Sequence, residues 1–197
     1  MMKIRSSLLV VAVAFAGQAA AEPVKYSIDP AHTYPSFEVD HMGGLSLWRG
    51  KFNTTRGSIV LDKEAQTGEV EIEVDTASVN FGHEGMEAHA RKEDILDVAK
   101  FPTATYKGKL AGFVEGSPTR VEGELTLHGV TQPLELAINS FKCIEHPFHK
   151  KEVCGADATA RFQRDAFGIT YGQGHGFDMD VLLRISVEAK AEDAKAE

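Results

Sequence analysis

Glu69-Val70-Glu71-Ile72-Glu73-Val74-Asp75 alternates acidic and aliphatic residues without a fault. Successive side chains of a strand point to opposite faces, so the stretch predicts a strand with one wet and one apolar face. Arg120-Val121-Glu122-Gly123-Glu124-Leu125-Thr126-Leu127 keeps the same period. So does Leu134-Glu135-Leu136-Ala137-Ile138-Asn139, with Pro133 acceptable at a strand start. Further strands are expected over 25–28, 36–41, 48–52, 57–62, 103–110, 156–163 and 180–190. Turn-like segments at 63–68, 116–118 and 128–131 separate most of them, a spacing that indicates an all-β sandwich or barrel. Only 83–100 breaks the pattern, since its sole β-branched residues are Ile95 and Val98. There Met86, Ala90, Ile95 and Leu96 line one side of one or two short helices, which Pro102 ends. That piece is expected as a lid or plug at one end.

A sheet with one apolar face must cover it, and closure into a barrel also removes both exposed edges. Eight strands give an interior that side chains just fill, or that keeps room for one small ligand. The inward candidates Val70, Ile72, Val74, Leu134, Leu136, Ile138, Ala158 and Ala160 are small or medium in size. Against them stand 11 Phe, one Trp and four Tyr, enough to line a tunnel or to fill it. Alternation alone leaves the two outcomes open.

The 197 residues, 43% hydrophobic and 25% charged, suit one globular domain with a substantial core. A formal charge of −8 repels phosphate backbones, so nucleic acid is not an expected partner. Lys3 and Arg5, the apolar run 8–15 and Ala19-Ala20-Ala21 read as a signal peptide over 1–21, cleaved after Ala21. The remaining 22–197 form the folded domain. Without Lys3 and Arg5, 19 basic residues face the same 29 acids, a charge of −10. The leading apolar run falls short of the ~20 residues that span a bilayer, so no transmembrane anchor is expected after cleavage.

Export changes the meaning of the only two cysteines. Cys143 and Cys154 either form a disulfide or join His146 and His149 in a C-x2-H-x2-H-x4-C metal cluster. An oxidising compartment favours the disulfide, because oxidised sulfurs are not thiolate ligands.

No nucleophile elbow, zinc-protease helix, P-loop or dinucleotide fingerprint is present in the sequence. His83-Glu84 continues to Glu87 where a zinc protease needs histidine, and Gly172-Gln173-Gly174-His175-Gly176 reads as a flexible loop. No catalytic residue, cofactor or metal is therefore expected. Five of the eight histidines (His83, His89, His146, His149, His175) fall in loops or the helical segment, where they are either surface residues or a metal-gathering set. His32, His41 and His128 lie at strand ends beside turns, placed to satisfy backbone groups or to face a pocket mouth.

The same residues resemble a known family. Tyr26-Ser27-Ile28-Asp29-Pro30-Ala31-His32-Thr33, then Phe37, Val39, His41 and Arg49-Gly50-Lys51-Phe52, is similar to the opening signature of the YceI-like family. The likeness continues through Asp75-Thr76-Ala77-Ser78-Val79, His89-Ala90-Arg91-Lys92 and Lys100-Phe101-Pro102-Thr103. It resumes at Gly123-Glu124-Leu125-Thr126-Leu127-His128-Gly129-Val130-Thr131 and ends near Arg164-Asp165-Ala166-Phe167-Gly168.

What the resemblance implies is a periplasmic, antiparallel, eight-stranded lipocalin-like barrel with an apolar tunnel. It also implies a non-enzymatic carrier of an isoprenoid quinone, a polyprenyl phosphate or a similar long-chain lipid, in some members as a homodimer. His32, His41, Arg49, Arg91, His128 and Arg164 match family positions and can donate hydrogen bonds to a head group. Phe37, Trp48, Phe52, Phe101, Phe162 and Phe167 are the candidates to hold the tail. Two rival readings stand beside this one: a lipid-modifying enzyme in the same cavity, and a metal-handling protein using the loop histidines.

Overall fold

The computed structural model describes residues 22–193, so the expected signal peptide lies outside the described residues. The alternating segments become strands β1 (Val24–Ile28), β2 (Tyr34–His41), β3 (Ser46–Phe52), β4 (Thr55–Asp62), β5 (Thr67–Asp75) and β6 (Val79–Asn80). After helix α1 (Glu84–Ala90) come β7 (Thr103–Ala111), β8 (Arg120–Leu127), β9 (Val130–Pro133), β10 (Leu136–Glu145), β11 (Glu152–Gln163) and β12 (Asp180–Ala191). Eight strands, in the order β1-β4-β5-β7-β8-β10-β11-β12, close into an antiparallel barrel when β12 pairs back with β1. On β5, Val70 is buried while Glu69 and Glu71 stay exposed, as the alternation requires. Glu71 meets Lys107 across the sheet at 2.6 Å, a solvent-exposed pair of small energetic weight.

β12 is long enough to carry two partners on one edge. Residues 189–191 pair with β1, and 181–186 pair with β2. Between these stretches the chain kinks at Asp29-Pro30-Ala31-His32. Asp29 Oδ1 accepts the Ala31 N–H at 3.0 Å, as an aspartate before a turn does, and Thr33 bridges the gap through reciprocal 3.2 Å bonds with the Glu188 backbone. From β2 the sheet continues through β3 to β6, forming a flap over the barrel end where α1 sits.

Several expectations change in detail. The turn expected over 128–131 shrinks to His128-Gly129, both with positive φ (51° and 75°), the backbone of a tight two-residue hairpin. Val130–Pro133 is thereby freed to pair with β8 as β9. The strand expected from Leu134 starts instead at Leu136, because the chain turns after Pro133, with the Leu134 N–H donating to the Gly123 carbonyl at 2.8 Å. β10 and β11 also run beyond the strands expected over 134–139 and 156–163, so most of 140–155 is paired strand. Cys143 and Cys154 stand directly opposite one another in that hairpin and are joined by a disulfide. The thiolate cluster is thus closed off.

Candidate functional site

The barrel is hollow. A cavity of about 400 Å³ runs through it, lined almost wholly by aliphatic and aromatic side chains. That volume lies in the range of ~300–1,000 Å³ that small-molecule sites occupy. Small residues on β11 create the space, since Gly155, Ala156 and Ala158 line the cavity where longer chains on neighbouring strands reach inward. Met86 and Ala90 of α1, with Ile95 and Leu96 beyond it, close part of one end. The expected helical lid therefore supplies lining rather than a bare cover.

Aromatic rings wall the same end. Phe37 packs on Phe52 at 5.6 Å and edge-on to Phe81 at 5.5 Å, and Phe81 in turn meets Trp48 at 6.2 Å. Gly50, paired with Phe37 across β2 and β3, makes this possible, because a Cβ there would lie 2.6 Å from the Phe37 ring. Phe37, Trp48, Phe52 and Phe162 thus line the cavity. Phe101 and Phe167 do not. Phe101 packs on His128 at 4.5 Å, and Phe167, 1% exposed, lies edge-on to Phe162 at 5.2 Å.

Of the six residues expected at a head group, the cavity gathers His41 and Arg164. His41 sits between Trp48 (5.4 Å) and Phe177 (5.5 Å). Arg164 donates to the Ile169 and Tyr171 carbonyls at 3.1 and 2.7 Å and has no ion pair among the described residues. Burial lowers its pKa below the usual arginine value, a sign that the cation is partly stripped of water. The other four stand outside the lining. Arg49 pairs with Glu38 on the flap, and His32 pairs with Asp29 on the outer wall. Arg91 donates to the Ala77 and Val79 carbonyls, tying α1 to the flap. His128 faces the Phe167 carbonyl through Nδ1, while its Nε2 is buried without a hydrogen-bond partner among the described residues.

The structure adds polar residues that sequence reasoning missed. Asp40, His89 and Tyr171 join His41 and Arg164 in the lining, with His89 edge-on to Tyr171 at 4.8 Å. His89 carried a usable signal: it lies three residues after Met86 on one helix face, the spacing that already marked Met86 and Ala90. Thr55 carried none. It is 1% exposed, lines the cavity, and its Oγ1 has no hydrogen-bond partner among the described residues. A buried hydroxyl left unpaired costs about 1–3 kcal/mol, which a ligand oxygen or a water would relieve. Chemically the site offers an apolar bore, one half-buried cation, two imidazoles, an unsatisfied hydroxyl and the Asp40 carboxylate, which accepts the Gly43, Gly44 and Asp178 N–H groups.

Comparison with known proteins matches this picture. A family model described as the YceI-like domain covers residues 26–189. A UPF0312 protein of Vibrio parahaemolyticus is 35% identical over 176 residues, 87% of this chain and 92% of its own. Protein YceI of Salmonella arizonae is 31% identical over 173 residues, 87% of this chain and 88% of its own. Among solved structures, a polyisoprenoid binding domain from Saccharophagus degradans, implicated in plant cell wall breakdown, superposes with a TM-score of 0.64 at 16% identity. It covers 86% of this chain and 99% of that one. At that identity the likeness speaks for the fold.

Proposed function

From the premise that this chain belongs to the YceI-like family, we propose that it is a non-enzymatic carrier of isoprenoid-type lipid, exported to the periplasm after cleavage behind Ala21. The observation that carries the reading is the apolar cavity of about 400 Å³ through a closed eight-stranded barrel. Burying each methylene of a prenyl tail there contributes about 0.8 kcal/mol, and the strand wall keeps water from the chain. The tail lies against Phe37, Trp48, Phe52 and Phe162. The head group lies at the end where His41, His89 and Arg164 meet, with Arg164 as its cationic donor and an isoprenoid quinone or polyprenyl phosphate as the ligand class. His32, Arg49, Arg91 and His128, with Phe101 and Phe167, hold the frame in which that end is built. Supporting the reading are the family membership, the bore and the polar groups at one end.

Mass spectrometry of an organic extract from the exported protein, purified without detergent, tests it. An intact long-chain isoprenoid at near-stoichiometric yield is expected, and it should be lost when Ala158→Phe fills the bore of a chain that still folds. An extract free of lipid from wild type, or equal lipid in both proteins, would overturn it.

A further inference from the structure

The bore is shut at one end and open at the other. Tyr26 and Leu61 are fully buried and close it where β1 and β4 pair. At the flap end Tyr171 both lines the cavity and is exposed, so the bore reaches solvent there, beside Phe177 and His41.

Two loops frame that opening. The β2–β3 hairpin turns at Met42-Gly43-Gly44, all of positive φ, and the Leu45 N–H closes it on the His41 carbonyl at 3.1 Å. Beside it runs 166–177, between β11 and β12. A Cβ on Gly43 would lie 3.0 Å from the Gly176 carbonyl oxygen, so backbone meets backbone where the loops touch. Asp40 ties them together, its carboxylate accepting the Gly43 and Asp178 N–H groups at 2.8 and 2.9 Å.

In a chain that is 25% charged, neither 42–48 nor 166–177 contains Asp, Glu, Lys or Arg. What the hairpin shows to solvent is apolar. Met42, Leu45 and Leu47 are exposed, Leu45 at 72%, and all three lie outside the cavity lining. Trp48, next in the chain, faces into the bore, so the apolar surface is continuous from tip to cavity. The acids behind the rim are already engaged: Asp178 accepts the Asp180 N–H, Asp180 accepts from the Gln163 amide, and Glu38 sits between Arg49 and Arg184.

We propose that the β2–β3 hairpin tip, with Leu45 foremost, inserts into the interfacial layer of a lipid bilayer and seats the cavity mouth on the membrane. The inference rests on the lipid-carrier reading, since a long-chain ligand leaves water only for another apolar phase. Charge and area both select a bilayer. An uncharged, protruding tip complements the acyl boundary, while three side chains cover far less than the ~800 Å² per partner of a stable protein interface. A formal charge of −8 disfavours an anionic surface, so the contact is apolar insertion and is insensitive to salt. The β10–β11 tip carries the more exposed Phe148 (86%), but it projects from the shut end among His146, His149, Lys150 and Lys151.

Flotation of the exported protein with phosphatidylcholine vesicles tests the docking. Wild type should float equally at low and high salt. Its partition coefficient should fall about tenfold in Leu45→Ser, and further in Leu45→Ser/Leu47→Ser. Both side chains are exposed and outside the bore, so the double variant should fold and yield as much extracted lipid as wild type. Phe148→Ser should float as wild type does. Wild type that stays with the soluble fraction, a double variant that floats unchanged, or loss in Phe148→Ser would each overturn the docking. A dimer abolished by Leu45→Ser, without flotation, would assign the tip to a second copy instead. Lipid-free wild type that floats would sink the carrier reading alone, and lipid-bearing wild type that does not float would sink the docking alone.

Discussion

The Arg164 guanidinium donates to the Tyr171 carbonyl at 2.7 Å, so a half-buried cation and a phenol that border the same cavity end are held as one unit. No carboxylate among the described residues neutralises that cation within ion-pairing distance. Asp40, Asp165 and Asp178 act on it only from beyond that distance, so an anionic ligand that reaches the guanidinium gains charge-assisted hydrogen bonds that no carboxylate of the chain now makes.

Replacing Arg164 with Gln should therefore weaken a long-chain carboxylate or phosphate by about tenfold or more, since bonds to charged groups contribute roughly 1.5–3 kcal/mol. A neutral alcohol of the same chain length should change little. Competitive displacement of a fluorescent fatty acid measures both. Equal weakening of the two would assign Arg164 only to holding the loop that carries Ile169 and Tyr171.

Thr55 offers a test of opposite sign. Its hydroxyl is buried in the cavity lining without a partner among the described residues. Thr55→Val should raise the stability of the lipid-free barrel by about 1 kcal/mol, because the unpaired oxygen is gone. The same change should weaken an oxygen-bearing ligand and spare a plain hydrocarbon. A destabilised Thr55→Val, read by urea denaturation, would mean that the hydroxyl already has a hydrogen-bond partner.

The reach of the sequence follows from how each residue's direction is set. On β5 the pleat alone decides, so the acid–aliphatic alternation named the strand and its inward face together. Phe37, Trp48, Phe52 and Phe162, tail candidates through the family resemblance, lie within strands, where the pleat turns each ring into the bore. Phe101 precedes β7 and Phe167 ends a 3-10 turn, where no pleat directs the ring, and both pack behind the wall. The head-group residues fared differently because tertiary partners aim them. Arg49 has Glu38 across the flap, Arg91 has the carbonyls of 77 and 79, and neither partner is legible from spacing. Thr55 is hidden only once the barrel closes. Only the outer part of the β10–β11 hairpin, beyond the strands expected over 134–139 and 156–163, went unread, because His146, Pro147 and the lysines near its tip resemble a loop, although Lys142-Cys143-Ile144-Glu145 keeps the period.

The disulfide lies inside that hairpin. Cys143 and Cys154 are register partners, and Cys154 lines the cavity. Replacing both with Ala, or reducing the bond, should cost about 2–3 kcal/mol for a loop this short. Urea midpoints with and without reductant measure the loss, and the double variant should respond to neither. An unchanged wild-type midpoint would show that the strand ladder fixes the hairpin unaided.

Asp29 and His32 give the fold a pH dependence whose sign is set by their shared hydrogen bond. That bond and the Asp29 charge raise the His32 pKa above its ordinary value. Burial alone would raise the Asp29 carboxyl, but hydrogen bonds from Lys190 and His32 outweigh it and hold the group well below the usual carboxylate range. A raised histidine stabilises the fold fully below its unfolded pKa of about 6.5, and the gain disappears as pH climbs through the folded value. A depressed aspartate works the other way, contributing above about pH 4 and fading as pH falls through its folded value. Both contributions are present together between those limits. The difference in urea midpoint between wild type and His32→Gln should therefore be larger at pH 5.5 than at pH 8.5. By NMR, His32 should titrate above about 6.5 in wild type and return toward that value in Asp29→Asn. A His32 titration indifferent to Asp29→Asn would break the link between the pair and the kink it closes.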